Sequence, residues 1–183
     1  MNSEWIIKQK KYDIKENLKY ETIFTLANGY RGFRGYNEFS LYNDKGNFIA
    51  GIFNRGKSEV TEIVNSFSPL DIKIYFDNKL FTLDTFNYKN FERILDMKNG
   101  ILYTEVTAVI SDESEVKIKS ERFVSRSDFH RWGAKYTFIS RNYKGKITVE
   151  NIADGNVFNY KHDPYNKTAH IENIKISDIN PGV

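Results

Sequence analysis

Leu70-Asp71-Ile72-Lys73-Ile74-Tyr75-Phe76 alternates strictly, with Leu70, Ile72, Ile74 and Phe76 on one side and Asp71, Lys73 and Tyr75 on the other. Successive side chains of an extended chain point to opposite faces, so this pattern predicts a half-buried strand. Leu102, Thr104, Val106, Ala108 and Ile110 repeat the same period. Further strands are expected at Asn47 to Phe53, Glu115 to Ser125, Lys135 to Ser140, Lys146 to Ile152 and Ala169 to Ile176. Turn-forming clusters separate them: Asn43-Asp44-Lys45-Gly46, Asp77-Asn78, Lys98-Asn99-Gly100, Ser111-Asp112-Glu113, Lys144-Gly145 and Ala153-Asp154-Gly155-Asn156. Short strands at intervals of about ten residues describe an antiparallel sandwich or barrel. Helical periodicity is thin. Lys89 to Met97, with Phe91, Ile94 and Leu95, fits one helical turn about as well as an irregular strand.

Composition agrees with a packed β domain. The chain has 183 residues, 40% of them apolar and 15% aromatic, including 12 Tyr and 14 Phe, which favours strands around an aromatic interior. Its length suits one domain, and with Pro69, Pro164 and Pro181 as the only prolines no linker or domain boundary stands out. Lys and Arg number 27 against 24 Asp and Glu, an excess of 27 − 24 = 3 spread along the chain, so charge indicates no nucleic acid partner. Absence of cysteine excludes disulfides, thiol catalysis and thiolate metal sites, and fits a reducing cytoplasm. The start, MNSEWIIKQKKYD, has no apolar run of signal-peptide length, and no segment reaches membrane-spanning length. A cytoplasmic protein with no membrane partner is expected. The sequon Asn166-Lys167-Thr168 would matter only in a secretory pathway.

The densest motif is Asn28-Gly29-Tyr30-Arg31-Gly32-Phe33-Arg34-Gly35-Tyr36, with a glycine at every third position. A dinucleotide fingerprint needs two glycines one residue apart, opening a helix after a strand, and the spacing here is different. Arginine-glycine arms that stack on nucleic acid are long and repetitive, whereas this stretch is short and lies among strands. The architectural reading is therefore preferred. Glycine supplies positive φ or close backbone approach, Tyr30 and Phe33 are expected to be buried, and Arg34 is expected to pair internally.

No catalytic constellation assembles from spacing. His130 sits beside Asp128 and Ser127, but local order does not build a triad, and a hydrogen-bonded loop histidine is expected. His162 and His170, with Asp163, match no zinc pattern, so no metal is expected. Glu21, Glu105, Glu121 and Asp154 cannot be paired into an acid and a base by sequence. Trp5 and Trp132 could serve as platforms for a sugar ring, although tryptophan more commonly packs in a core. No catalytic, substrate-binding or metal-binding residue is assigned, and no cofactor is expected.

The run from Tyr20 to Gly35, with Glu21, Asn28-Gly29 and Gly32-Phe33-Arg34-Gly35, resembles the N-terminal signature of glycoside hydrolase family 65. Later blocks agree in order. Ala50-Gly51-Ile52-Phe53 is similar to an Ala-Gly-aliphatic-aromatic strand, and Leu95-Asp96 through Gly100-Ile101-Leu102 to the family's Leu-Asp turn. Arg122-Phe123, Ser125, Asp128 and His130 resemble a third block, and Asp154-Gly155, Val157 and Asn159 a fourth.

This resemblance implies a galactose mutarotase-like antiparallel β-super-sandwich over residues 1–183, expected to be incomplete. It implies that the catalytic (α/α)6 barrel is absent from the chain. The parent enzyme would cleave α-linked glucosyl disaccharides with inversion, by inorganic phosphate or by water, using an acid and phosphate-binding residues of the barrel. On that reading the chain alone is inactive, a truncated or natural fragment, and the family's association of sandwiches with subunit contacts allows a homodimer. A stand-alone carbohydrate-binding module is the alternative from another class.

Overall fold

The computed structural model describes residues 3–43, 45–55, 61–155 and 157. In chain order they form β1 (Ile6–Gln9), α1 (Asn17–Ile23), β2 (Leu26–Ala27), β3 (Arg31–Phe33), β4 (Asn47–Asn54), β5 (Glu62–Asn65), β6 (Asp71–Phe76) and β7 (Lys79–Leu80). There follow β8 (Tyr88–Asp96), β9 (Ile101–Ser111), β10 (Ser114–Val124), β11 (Trp132–Arg141) and β12 (Ile147–Ile152). All ladders between these strands are antiparallel. Of the antiparallel sandwich or barrel that alternation left open, the all-β sandwich is the observed architecture.

One layer is a five-stranded sheet in the order β1-β8-β9-β10-β11, and facing it lie a three-stranded sheet, β12-β6-β7, and a four-stranded sheet, β2-β3-β4-β5. Two apolar clusters fill the space between. The first joins Ile72, Ile74 and Phe76 of β6, with Phe81 and Phe86, to Val106, Ala108, Val116 and Ile118 of β9 and β10. The second joins Phe24, Leu26 and Phe33 to Leu95, Leu102 and Val124. The inward faces are those that the period-two pattern assigns to Leu70–Phe76 and Leu102–Ala108.

Turn chemistry follows the sequence closely. Asp77 and Asn78 both have positive φ (48° and 68°), as the tight β6–β7 hairpin demands, and Gly100 (φ 67°) closes β8 to β9. Lys89 to Met97 resolves in favour of strand: β8 runs through Asp96, and Met97 lies just beyond it. The strand expected at Ala169 to Ile176 lies outside the described residues, as do His162, His170 and the sequon.

Sequence periodicity did not indicate α1. Its buried residues are Asn17 and Glu21, while Leu18 and Ile23 are exposed, so its inward face is polar and leaves no apolar stripe. That polar face clamps the irregular segment after β3. Asn17 Nδ2 donates to Ser40 Oγ (3.1 Å) and to the Tyr42 carbonyl (2.9 Å), and Gly35 N donates to the Glu21 carbonyl (2.8 Å).

The glycine ladder divides by position. Gly29 has φ 90°, which only glycine adopts without strain, and Gly35 lies so close to the backbone of Phe24 that a Cβ there would overlap its carbonyl. Gly32 has ordinary room: its φ is not positive, and a methyl added there would stand 3.7 Å from Ala27 Cβ. Phe33 is buried and Arg34 pairs internally, as expected, whereas Tyr30 is only half-buried. Tyr30 remains at the surface because its ring packs on a loop histidine instead of entering the core. Replacing Gly35 by Ala is expected to lower unfolding free energy by about 2 kcal/mol or more through overpacking, whereas Gly32→Ala stays within about 0.5 kcal/mol. Denaturant titration of the two variants checks the contrast.

Candidate functional site

Two constellations hold side chains with chemical potential, one between the layers and one at an end of the sandwich. The inner one begins with register. Gln9 pairs with Arg93, Arg93 with Thr104, Thr104 with Ser120 and Ser120 with Tyr136, so a polar row crosses all five strands of the large sheet. Gln9, Arg93, Thr104 and Ser120 are each 1% exposed, and the row separates the two apolar clusters.

Glu38 completes this row from the opposite layer. Its carboxylate meets Arg122 Nη2 at 3.0 Å, accepts from Ser120 Oγ, and lies 3.5 Å from Thr104 Oγ1. Arg93 donates to the carbonyls of Gly35 (2.6 Å) and Tyr36 (3.1 Å), and Arg122 to that of Tyr36 (2.8 Å). Two guanidinium groups thereby satisfy an irregular backbone segment that no strand could pair. Burial alone would raise the Glu38 pKa, but the charges of Arg122 and Arg93 and the Ser120 bond hold it below the ordinary carboxylate value. Burial and the neighbouring Arg122 pull Arg93 down, while Glu38 overcomes burial to lift Arg122.

Glu38 is thus a fully buried anion paired with Arg122 and Ser120, with no open face for a substrate, and its role is structural. Sequence reasoning passed over Glu38 and Arg93. A signal existed for Arg93: it stands between Phe91 and Leu95 at inward parity in β8, as Arg122 stands between Ser120 and Val124 in β10.

The second constellation joins the glycine ladder to the loop between β10 and β11. Asn28 donates through Nδ2 to the carbonyls of Ser125 (2.6 Å) and Phe129 (3.0 Å) and accepts through Oδ1 from Tyr30 N (3.1 Å) and Arg31 N (2.9 Å). Tyr30 packs edge-on against His130 at 4.5 Å between ring centroids, and Arg31 lies over the Trp132 indole at 3.9 Å. Ser125 Oγ accepts from Asp128 N (3.0 Å), Asp128 Oδ1 accepts from His130 N (3.1 Å), and Asp128 pairs with Arg131 at 2.8 Å. Blocks about a hundred residues apart in sequence therefore form one surface, with Phe129, His130 and Arg131 exposed. Beside it a groove of about 640 Å³ runs along Leu26, Leu95, Met97, Ile101, Phe123 and Ser125.

The other residues considered in sequence lie apart. Glu21 meets Arg34 (3.3 Å), Glu105 meets Lys117 (2.6 Å) and Lys119 (3.2 Å), and Glu121 meets Lys135 (3.3 Å), so none of these forms a carboxylate couple. Trp5 is 49% exposed, contrary to the commoner core fate, because it precedes β1 at the sheet's edge. Trp132 is half-buried against the second cluster. Among the described residues no group of three His, Asp or Glu side chains could hold a metal ion, and no helix is long and apolar enough to cross a membrane.

Compared with known proteins, residues 7–179 match the family described as glycosyl hydrolase family 65, N-terminal domain. The chain belongs to this family. The family 65 domain is 42% identical over 180 residues to the kojibiose phosphorylase of Caldanaerobacter subterraneus subsp. tengcongensis, covering 97% of this chain and 23% of that protein. It is 31% identical over 172 residues to the α,α-trehalose phosphorylase of Thermoanaerobacter brockii, covering 85% and 22%. The chain thus spans less than a quarter of the length of these relatives. A solved structure described as a candidate kojibiose phosphorylase from human microbiome superposes with a TM-score of 0.76 at 21% identity, over 84% of this chain and 22% of that one, which shows the shared fold.

Two measurements test the structural roles of Glu38 and Asn28 in the family 65 domain. Glu38 has a depressed folded pKa, so its stabilising contribution is present above its unfolded pKa, near 4.5, and is lost as pH falls through the lower folded value. Glu38→Gln should lose about 3 kcal/mol at neutral pH, and its stability should fall less steeply than the wild type's as pH drops from about 4.5 through the folded value, read by denaturation across pH. Asn28→Ala should cost about 2 kcal/mol and speed amide exchange across 125–131, read by hydrogen exchange.

Proposed function

We propose that residues 1–183 form the non-catalytic N-terminal β-sandwich domain of a phosphorylase acting on α-linked glucosyl disaccharides, with the catalytic barrel supplied by further polypeptide. The supporting observation is the similarity, along nearly the whole chain, to less than a quarter of proteins named kojibiose and trehalose phosphorylases. Within the described residues, Glu38, Glu21, Glu105 and Glu121 are each occupied by cations, which suits a scaffold better than an acid catalyst.

In the parent enzyme a phosphate oxygen would bond to the anomeric carbon from the face opposite the glycosidic oxygen. That C–O bond would break, and the departing oxygen would take a proton from a carboxylic acid of the barrel. Water in place of phosphate would make the same geometry hydrolytic. A cytoplasmic location and a homodimeric parent complete the proposal.

A second reading, a carbohydrate-binding module, draws on the exposed Trp5 ring and the groove beside Met97 and Phe123. Incubation with kojibiose, trehalose or maltose plus phosphate decides the first: the chain alone should release no glucose 1-phosphate, and turnover would overturn the scaffold role. Saturable oligosaccharide binding in a calorimetric titration would instead favour the second reading.

A further inference from the structure

The arginines divide sharply by what receives them. Arg34, Arg122, Arg131 and Arg141 each meet a carboxylate, at 3.3, 3.0, 2.8 and 3.9 Å. Arg93 is received by two backbone carbonyls. Arg55 and Arg126 are exposed to solvent. Arg31 differs from all of these. It is half-buried, its Nε is sequestered from solvent with no hydrogen-bond partner, and among the described residues no carboxylate or carbonyl accepts from its guanidinium.

The position of Arg31 is nevertheless fixed. The guanidinium lies 3.9 Å from the Trp132 ring centroid and 5.7 Å from that of Phe33, and the backbone N–H is bonded to Asn28 Oδ1 (2.9 Å). The indole face occupies one side of the guanidinium, and of its nitrogens only Nε is among the buried atoms without a partner, so the Nη groups remain accessible to an incoming acceptor. Burial lowers the Arg31 pKa from its usual value, and the neighbouring Tyr30 only partly offsets that effect. A partly desolvated cation lacking an acceptor is costly unless an anion arrives to fill the fork.

We propose that Arg31, braced on Trp132, is a receptor for one oxyanion, a phosphate or a carboxylate, bound through its guanidinium N–H edge. A free phosphate and an acidic side chain of adjoining polypeptide offer the same chemistry, and the site stands independently of the parent enzyme's reaction. Only Trp5 and Trp132 are present, so a Trp5→Phe background makes Trp132 the sole indole reporter.

In that background the full chain is titrated with inorganic phosphate and, separately, with succinate, at constant ionic strength set with chloride. Trp132 emission should change saturably, with a dissociation constant on the order of millimolar. Arg31→Gln should weaken that response about tenfold or more, whereas Arg141→Gln, at the far end of β11, should leave it unchanged. Saturation by phosphate alone assigns the free anion, and saturation by succinate alone assigns a carboxylate partner. Arg31→Lys retains the charge without the fork and should also bind more weakly, which decides the question if the neutral variant fails to fold. No saturable response to either anion, or equal responses in the Arg31 variants, would overturn the proposal.

Discussion

Glu38 in contact with Arg122 is the interaction on which the arrangement of layers depends. It joins the large sheet to an irregular segment of the opposite layer across an interior that is otherwise aromatic and aliphatic. A charge taken from water into such a place is tolerated only when opposite charge and hydrogen bonds surround it, and Arg122, Arg93 and Ser120 do so here. Because Arg93 of β8 and Ser120 of β10 stand in register through Thr104 of β9, with Arg122 two residues along β10, the carboxylate fixes where the segment crosses the sheet.

The same network explains how a stretch without regular structure passes through the core. Backbone carbonyls at Gly35 and Tyr36 would be orphaned between two sheets, and the arginines supply the donors that a neighbouring strand would otherwise provide. On the far side α1 presses its polar face against the segment, with Gly35 permitting the contact at Phe24. The glycine ladder is therefore part of one assembly with Glu38. Its first half turns the chain and meets the β10–β11 loop through Asn28, and its last glycine lets the chain enter the interior.

Alternation made the long strands legible because β6, β9 and β10 each bury one face, and burial of one face imposes a period of two on the residues. Short strands carried no such signal. β2, β3 and β7 have two or three residues, too few to show a period, and are held by their neighbours in the sheet. The helix α1 escaped notice for a different reason, since its inward face is Asn17 and Glu21 and satisfies hydrogen bonds instead of burying apolar area. Recognition of the family blocks from Tyr20 to Gly35 and around Arg122 gave the family itself, but gave no contact between them.

By itself the sequence determined that the chain is an antiparallel β domain, where β6, β9, β10 and most hairpin turns fall, and which family it belongs to, because these depend on local periodicity, turn chemistry and motif order. Only the tertiary structure decided that Asn28 binds the loop at Ser125 and Phe129, that Arg31 lies over Trp132 with no anionic acceptor among the described residues, and that Glu38 pairs with Arg122. The two Asn28 hydrogen bonds span 97 and 101 positions of sequence, and the pairing of strands, not any property of the residues nearby in the chain, brings such partners together.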